Sequence, residues 1–361
     1  MKRLSIFLLL PIILFSLSAC DSITDKQTET TATNSNAKLL KALIIDGENN
    51  HGVFPMTTMM MSDYLKATGL FTVDYARTTN TWQGPHYNQE SLGVKVEDAA
   101  ILFERYPLPN GLKTKPVKEP VPDPNFSPNF AAYDVVISNM GWKASTWPKQ
   151  TQVNFEQYIS KGGGLVIVHA ANNSWGDWAA YNKMIGLGGW GGRNTESGPY
   201  VYYNDAGERI DDPSEGDCGS HGPEHEYVLT TRSPEHPIMK GLPQKWLHTL
   251  DELYDRLRGP AENMTVLATA YSDKEKNGPP WNKEVQGSAR HEPLLMAIDY
   301  GKGRIFHSAM GHMDYSMECV GFMTTFQRGA EWAATGKVTQ AVPSDFPTEN
   351  KTSIRTWANR K

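Results

Sequence analysis

Residues 162–171 read GGGLVIVHAA, and this stretch decides the fold. Leu165–Val168 are four consecutive apolar residues between glycines and alanines, which is typical of a strand buried on both faces of a parallel sheet. His169 directly follows that strand. Because ligands bind beyond the carboxyl ends of strands in open α/β sheets, the same stretch predicts both the fold and the place of a site.

The segments around this strand alternate between strands and helices. The patterns predict strands at 41–46, 71–76 and 134–139, and helices at 57–68 and from Pro148 onward. This alternation predicts an α/β fold with a doubly wound, mostly parallel sheet flanked by helices. Later strands are predicted at 226–230, 264–270, 294–299 and 303–308, a last helix at 319–335, and long loop insertions at 78–132 and 172–222.

The N-terminus has the features of a bacterial export signal. Lys2 and Arg3 precede an apolar run at 4–17, and LSAC at 17–20 resembles a lipobox. We therefore predict lipidation of Cys20, and a protein held by that lipid in the bacterial cell envelope, on the periplasmic or outer-membrane face. The apolar run is short for a spanning helix, which disfavours an uncleaved anchor.

Composition suggests the remaining segments. The predicted boundaries are a signal peptide at 1–19, a flexible tether at 20–39, the α/β domain at 40–340 and a C-terminal tail at 341–361. Without the signal peptide, 33 basic residues face 40 acidic ones, a net charge of −7, which argues against a nucleic-acid partner. A chain of this size needs no disulfide, so Cys218 and Cys319 are expected as separate thiols rather than a pair.

Polar and aromatic side chains follow three of the predicted strands, at the point where each strand ends. The carboxyl ends of parallel strands meet at one edge of a sheet, so these side chains are expected to lie close together. Amide and indole groups of this kind suit the binding of a polyol or carbonyl substrate. The residues predicted to bind substrate are His51, Asn50, Asn139, Trp142, Asn172, Trp175 and His225.

Titratable residues at the same edge suggest the chemistry. His169 has three interpretations: a general acid or base, a metal ligand, or a structural histidine that holds a loop. His312 has the same placement beyond a later strand, and Glu252 can pair with a histidine or begin a helix. No serine or cysteine lies in a nucleophile elbow, which disfavours covalent acyl chemistry. A divalent metal such as zinc could take nitrogen ligands from His51, His169, His225 and His312.

Several short motifs, in order along the chain, resemble the trehalose-utilisation (ThuA-like) family. They are LIIDG at 43–47 with Asn50-His51, YDVV at 133–136, GGGLVIVHA at 162–170, HPIMKGLP at 236–243, DELY at 251–254, and GKGRIF at 301–306 with Gly311-His312.

The resemblance implies a flavodoxin-like fold similar to class I glutamine amidotransferases, and a role in disaccharide metabolism through 3-keto sugars. Those amidotransferases carry a cysteine where this chain has His169, so glutaminase activity is not implied. The insertion at 78–132 and the Asn- and Trp-rich loop after His169 depart from the family pattern.

These observations predict a lipoprotein of carbohydrate metabolism that acts on a disaccharide or 3-keto-glycoside. His169, His312 and Glu252 are the predicted catalytic residues, and proton transfer would start elimination, isomerisation or hydrolysis. One alternative is a non-catalytic carbohydrate-binding lipoprotein, and another is a metal-dependent hydrolase. In the binding alternative, the sugar would stack on Trp142, Trp175, Trp178 and Trp190.

Overall fold

The computed structural model describes residues 38–86 and 99–361. The predicted signal peptide, the lipidation site Cys20, nearly all of the predicted tether and part of the predicted insertion lie outside the described residues. Within the described part of the chain, no helix is both long and apolar enough to cross a membrane.

Fourteen strands and six α-helices lie within the described residues. The strands are β1 Leu40–Asn49, β2 Phe71–Gln83, β3 Lys115–Pro116, β4 Val135–Ser138, β5 Gly164–Val168, β6 Tyr200–Tyr203, β7 Arg209–Asp212, β8 Ser220–His221, β9 His225–Thr231, β10 Lys245–Asp251, β11 Tyr254–Asp255, β12 Met264–Tyr271, β13 His291–Tyr300 and β14 Gly303–Ser308. The helices are α1 Phe54–Ala67, α2 Ile101–Arg105, α3 Lys149–Ser160, α4 Ala179–Ile185, α5 Asp314–Met317 and α6 Val320–Thr335.

The central part of the main sheet is parallel. Strands β14, β5, β4, β1, β2 and β3 lie side by side in that order, and each pair runs in the same direction. Every residue of β5 is buried, as its uninterrupted apolar sequence predicts. The predicted fold class, a doubly wound and mostly parallel α/β sheet, is confirmed.

Helices cover both faces of the parallel part. On one face, Phe306 of β14 packs so closely on α6 that a Cβ at Gly329 would lie 2.1 Å from its ring. The next residue, His307, points to the opposite face, where its Nδ1–H donates to the Ile185 carbonyl oxygen at the end of α4 (2.8 Å). Successive side chains of a strand point to opposite faces, so these two contacts define the two layers of helices.

Antiparallel strands extend the sheet beyond β14, in the order β13, β12, β9 and β10. This arrangement makes β10 run in the same direction as β14, while β9 and β13 run the opposite way. The carboxyl end of β10 and the amino ends of β9 and β13 therefore lie at the same edge as the carboxyl ends of the parallel strands. We call this edge the carboxyl edge.

The predicted elements differ from the observed ones in several places. Residues 78–132, interpreted as loop, contain the end of β2, helix α2 and strand β3, and residues 172–222, also interpreted as loop, contain α4 and the strands β6, β7 and β8. Strands β10 and β11 and helix α5 were not predicted. These elements are short or lack clear alternation, so their sequences carry little periodic signal. Cys218 and Cys319 are buried and separate, as expected for thiols that do not pair.

Residues 341–361, predicted as a tail, contact the helices of the domain. The indole Nε1–H of Trp357 donates to Asp63 Oδ2 in α1 (2.9 Å), and Trp357 is buried. Arg360 forms an ion pair with Glu318 (2.8 Å) and another with Asp314 of α5.

Candidate functional site

Three histidines meet at the carboxyl edge. His51 follows β1, His169 follows β5 and His312 lies beyond β14. Their ring centroids are separated by 4.6 to 5.2 Å, and all three residues are buried. The sheet thus brings together residues that are more than 250 positions apart in the sequence.

His169 is held in an unusual backbone conformation. Its φ of +45° is rare for a residue with a side chain. Two hydrogen bonds fix the ring: Nδ1–H donates to the Ala309 carbonyl oxygen (2.9 Å), and Nε2 accepts from the Tyr254 hydroxyl (2.8 Å). The carbonyl can only accept, so Nδ1 carries the hydrogen and Nε2 keeps its lone pair.

The other two rings also have an oxygen acceptor at Nδ1. The Asn49 amide nitrogen donates to two backbone carbonyls, so its Oδ1 faces His51 and accepts from Nδ1–H (3.2 Å). His312 Nδ1–H donates to Glu224 Oε1 (2.6 Å). In each ring an oxygen acceptor engages Nδ1, which leaves Nε2 for the centre of the cluster.

Glu252 completes the cluster. Its carboxylate oxygens lie 3.5 Å from His169 Nε2 and 3.3 Å from both His312 Nε2 and His221 Nδ1. Burial alone would raise the pKa of Glu252, but His312, His221 and His169 lower it to about 2. Burial lowers the pKa of His312, yet the carboxylates of Glu252 and Glu224 raise it overall. Glu252 is therefore ionised at neutral pH.

The four side chains offer a compact set of metal ligands. One nitrogen from each of His51, His169 and His312 and one oxygen of Glu252 all lie within 4.8 Å of one another. Burial, followed by the charges of His312 and His169, lowers the pKa of His51 well below its usual value, so its ring is neutral. Neutral imidazole nitrogens and a carboxylate oxygen are ligands that zinc and similar divalent ions take.

Asp251 holds the backbone around this cluster. Its carboxylate accepts the backbone N–H groups of Gly311 (2.8 Å), His312 (3.0 Å) and Glu252 (3.0 Å). It also pairs with His248 Nε2 at 2.8 Å, and both side chains are fully buried. Of the two interpretations of Glu252, pairing with a histidine or beginning a helix, the structure shows the first, with Glu252 among three histidines and Asp251 bound to a fourth.

Two cavities open beside Glu252. One has a volume of about 210 Å³ and is lined by His51, Trp142, Trp190, Tyr254 and Trp281, among other residues. The other has a volume of about 390 Å³ and is lined by Glu224, His312 and Tyr315, among others. His86 and Glu252 line both cavities, so the group of four potential metal ligands, called here the metal-ligand cluster, has Glu252 in the wall of each.

The predicted binding residues divide into two groups. Asn50 and Trp142 reach the first cavity, where the Asn50 amide oxygen accepts the Trp142 backbone N–H (2.8 Å). Asn139 donates to Thr57 and Thr58, and Asn172 contacts His307, so both amides serve packing instead.

The structure also corrects the expected roles of three aromatic side chains. Trp175 and Trp178 are buried, with Trp175 edge-on to Trp147 at 4.5 Å, and both lie outside the two cavities beside Glu252. His225 Nδ1–H donates to the Pro223 carbonyl oxygen (2.9 Å), and His225 is not one of the four residues whose ligand atoms lie within 4.8 Å of one another. Glu252 occupies the place in the cluster that the sequence interpretation gave to His225.

Sequence reasoning missed several residues that line the cavities. His221 and Glu224, in the HGPEHE stretch at 221–226, both lie beside the cluster. Tyr254 carried the signal of its DELY motif, whereas Trp281 lies in a polar loop with no motif. Only the antiparallel strands, which were partly unpredicted, bring these residues to the carboxyl edge.

Comparisons with known proteins agree with this architecture. The model of the ThuA family, described as trehalose utilisation, matches residues 95–333. A ThuA-like protein from Parabacteroides merdae has a crystal structure similar to this chain, with 39% identity and a TM-score of 0.71 over 88% of this chain and 98% of that one. A ThuA-like protein from Bacteroides uniformis is 17% identical, with a TM-score of 0.46 over 86% of this chain and 96% of that one. No curated protein matches the chain.

Proposed function

This chain belongs to the ThuA family of trehalose utilisation, and from that premise we propose that it is a carbohydrate-processing enzyme with a divalent-metal centre. The metal ligands are His51, His169, Glu252 and His312. The substrate is a disaccharide or a 3-keto-glycoside, and the reaction is a hydrolysis, elimination or isomerisation at its sugar carbons.

One observation carries the proposal of a metal centre. An oxygen acceptor engages Nδ1 in each of the three histidines, and Nε2 of His169 and of His312 lies 3.5 and 3.3 Å from the ionised carboxylate of Glu252. Such an electron-rich point, buried in a low-dielectric site, is stabilised by a cation. Histidine ligands of metals commonly show this pattern of outer hydrogen bonds.

The bound ion would polarise a sugar carbonyl or hydroxyl, or lower the pKa of a water molecule. The surrounding side chains supply the proton chemistry. The Tyr254 hydroxyl is 2.8 Å from His169 Nε2, and Glu224 accepts hydrogen bonds from both His312 and Tyr315 (2.6 Å each). A 3-keto group acidifies the neighbouring C–H of a sugar. The carboxylate of Glu224, beside the cluster, is suited to remove that proton.

The metal content of purified protein tests the proposal. We expect about one divalent ion per chain, because a preformed set of three nitrogens and one carboxylate binds transition metals tightly. His169→Ala and Glu252→Gln should lose the ion, whereas His225→Ala, a histidine of the same edge outside the cluster, should keep it. A wild-type protein that takes up no divalent ion, even when zinc is added, would overturn the metal centre.

A second candidate is proton transfer without a metal. It is favoured by His312, which lies between Glu224 at 2.6 Å and Glu252 at 3.3 Å and is stabilised in its protonated form. A screen of trehalose and oxidised disaccharides, with products identified by mass, separates the two candidates. Turnover that survives complete removal of metal by a chelator supports the second candidate, and turnover lost with the metal and restored by zinc supports the first.

A further inference from the structure

The cavity of about 210 Å³ has both aromatic and polar walls. Trp142, Trp190 and Trp281 line it together with the buried side chains of Glu252 and Tyr254. Trp281 is 59% exposed, the most exposed of the large apolar side chains in the described residues. Ligand pockets are typically lined by aromatic side chains together with a few polar groups, and this cavity has that composition.

The segment that carries Trp281 is firmly attached to the domain. It connects β12 to β13, and its position is set by the buried carboxylate of Asp255. That carboxylate accepts the Ser272 hydroxyl (2.6 Å), the Asn277 amide (3.2 Å) and the Ser288 backbone N–H (3.1 Å). These bonds anchor the segment on both sides of Trp281 at the carboxyl edge.

Trp281 is linked to the metal-ligand cluster through a single side chain. Its ring packs edge-on against His221, with centroids 4.7 Å apart. His221 Nδ1 lies 3.3 Å from Glu252, and the His221 ring also faces Trp190 at 5.9 Å. The ring of a ligand that stacks on Trp281 would thus lie close to the cluster.

The second cavity has a different character. Glu224 and Tyr315 give it hydrogen-bonding groups, and it contains none of the three tryptophans. Since Glu252 lines both cavities, a molecule that reached from one cavity into the other would pass beside the metal-ligand cluster. A two-ring glycoside matches this shape, because a pyranose has an apolar C–H face that stacks on indole and a polar edge.

We propose that Trp281, together with Trp142 and Trp190, forms an aromatic subsite that binds one pyranose ring of a disaccharide and places the glycosidic linkage beside Glu252. The second ring occupies the cavity of Glu224 and Tyr315. This inference rests on the proposed function, because it assigns the substrate of that same site. It makes Trp281 a residue for substrate binding and specificity and gives it no part in the chemistry.

Calorimetric titration with trehalose, maltose and cellobiose tests the subsite. We expect at least one of these to bind the wild-type protein, and Trp281→Ala to weaken that binding about tenfold, the loss expected for one aromatic contact. Trp281→Phe, which keeps a ring, should lose less. Tyr271→Ala is the matched control: Tyr271 is 42% exposed on β12 but packs on His291, outside both cavities. It should bind the sugar as the wild type does.

Two results would overturn the subsite: no binding of any of the three disaccharides by the wild type, or unchanged binding by Trp281→Ala. Metal content, measured on the same samples, keeps the two proposals apart. If the protein takes up no divalent ion, even with added zinc, and its sugar binding depends on Trp281, the metal centre is refuted and the subsite is kept. If the protein has a full complement of metal and its sugar binding does not depend on Trp281, the subsite is refuted and the metal centre is kept.

Discussion

His169 combines strain with a fixed orientation. A residue at φ +45° costs on the order of 1 kcal/mol or more, and such conformations persist only where the surroundings determine them. Here the Ala309 carbonyl and the Tyr254 hydroxyl hold both ring nitrogens. The backbone turn directs the ring toward His51 and His312, which explains why the strained conformation occurs at this residue.

Asp251 is the side chain on which the geometry of the cluster most depends. Asp251→Asn would replace one of two accepting oxygens by a donor that faces backbone N–H groups, and would remove the partner of His248. Breaking a buried charged pair costs on the order of 3 kcal/mol, so we expect that loss in the free energy of unfolding, together with weaker zinc binding. Urea unfolding and a zinc titration measure the two effects.

The control for this change is Asp345→Asn. Asp345 pairs with Arg355 at the surface, where both side chains are about half exposed. Exposed pairs contribute about 1 kcal/mol or less, so the stability and zinc affinity of this variant should stay close to the wild type. If Asp251→Asn and Asp345→Asn had the same free energy of unfolding and the same zinc affinity, this would show that Asp251 does not organise the site.

At the scale of elements, the junction of β12 and β13 contains a buried acid that reports on pH. Glu292 of β13 is 3% exposed and accepts the Ser288 hydroxyl (2.6 Å). Burial, and then the charge of Asp255, raise the pKa of Glu292 to about 7. Its carboxyl group is therefore protonated in the folded protein at pH values where the unfolded chain has already lost the proton.

This raised pKa predicts the direction of a stability change. From about pH 4.5 to about pH 7 the folded state binds more protons at this site than the unfolded state, so the contribution of Glu292 to stability falls as the pH rises. Glu292→Gln, which keeps a polar group beside Ser288, should be more stable than the wild type above pH 7 by on the order of 3 kcal/mol. Below pH 4.5 the two proteins should differ little.

Urea unfolding of both proteins at pH 4 and pH 8 measures this difference. Glu331→Gln is a suitable control, because Glu331 is also buried but lies in α6, away from Asp255. If the free energy of unfolding of Glu292→Gln depended on pH in the same way as that of the wild type, this would contradict the raised pKa of Glu292.

The predicted strands and helices were clearest where the sequence is apolar and periodic. Strand β5 and helix α6 match their predictions to within one residue, at Gly164–Val168 and Val320–Thr335. Strand β2 continues to Gln83, well beyond the predicted end at residue 76, because its second half pairs along β1 and β3 in spite of a polar sequence. Pairing partners, which are distant in sequence, decide such extensions.

At the scale of the whole molecule, two halves of one sheet build the site. The parallel half supplies His51, His169 and His312, and the antiparallel half supplies Glu252, with His221 and Glu224 beside it. Because β9 and β10 run in opposite directions, the start of one and the end of the other reach the carboxyl edge together. The cluster is thus a property of the complete sheet.

A lipid anchor at Cys20 would set the location of the whole chain in the cell. We propose that Cys20, which lies outside the described residues, carries the lipid and holds the domain at the envelope membrane. In a Gram-negative host, Cys20→Ala should move the protein from the membrane fraction to the soluble fraction while the purified domain keeps its metal content. Membrane association that persists in Cys20→Ala would disprove the anchor.

The sequence by itself determined the parallel half of the fold and the edge that carries the site. Local patterns suffice there, because a buried strand is a short apolar run and its carboxyl end follows from the direction of the chain. The choice of Glu252 over His225 as the fourth member of the cluster, and the placing of Trp281 at its entrance, were decided only by the tertiary structure. Both depend on which strands pair across long distances and on where each side chain then points, and no local pattern of residues encodes that information.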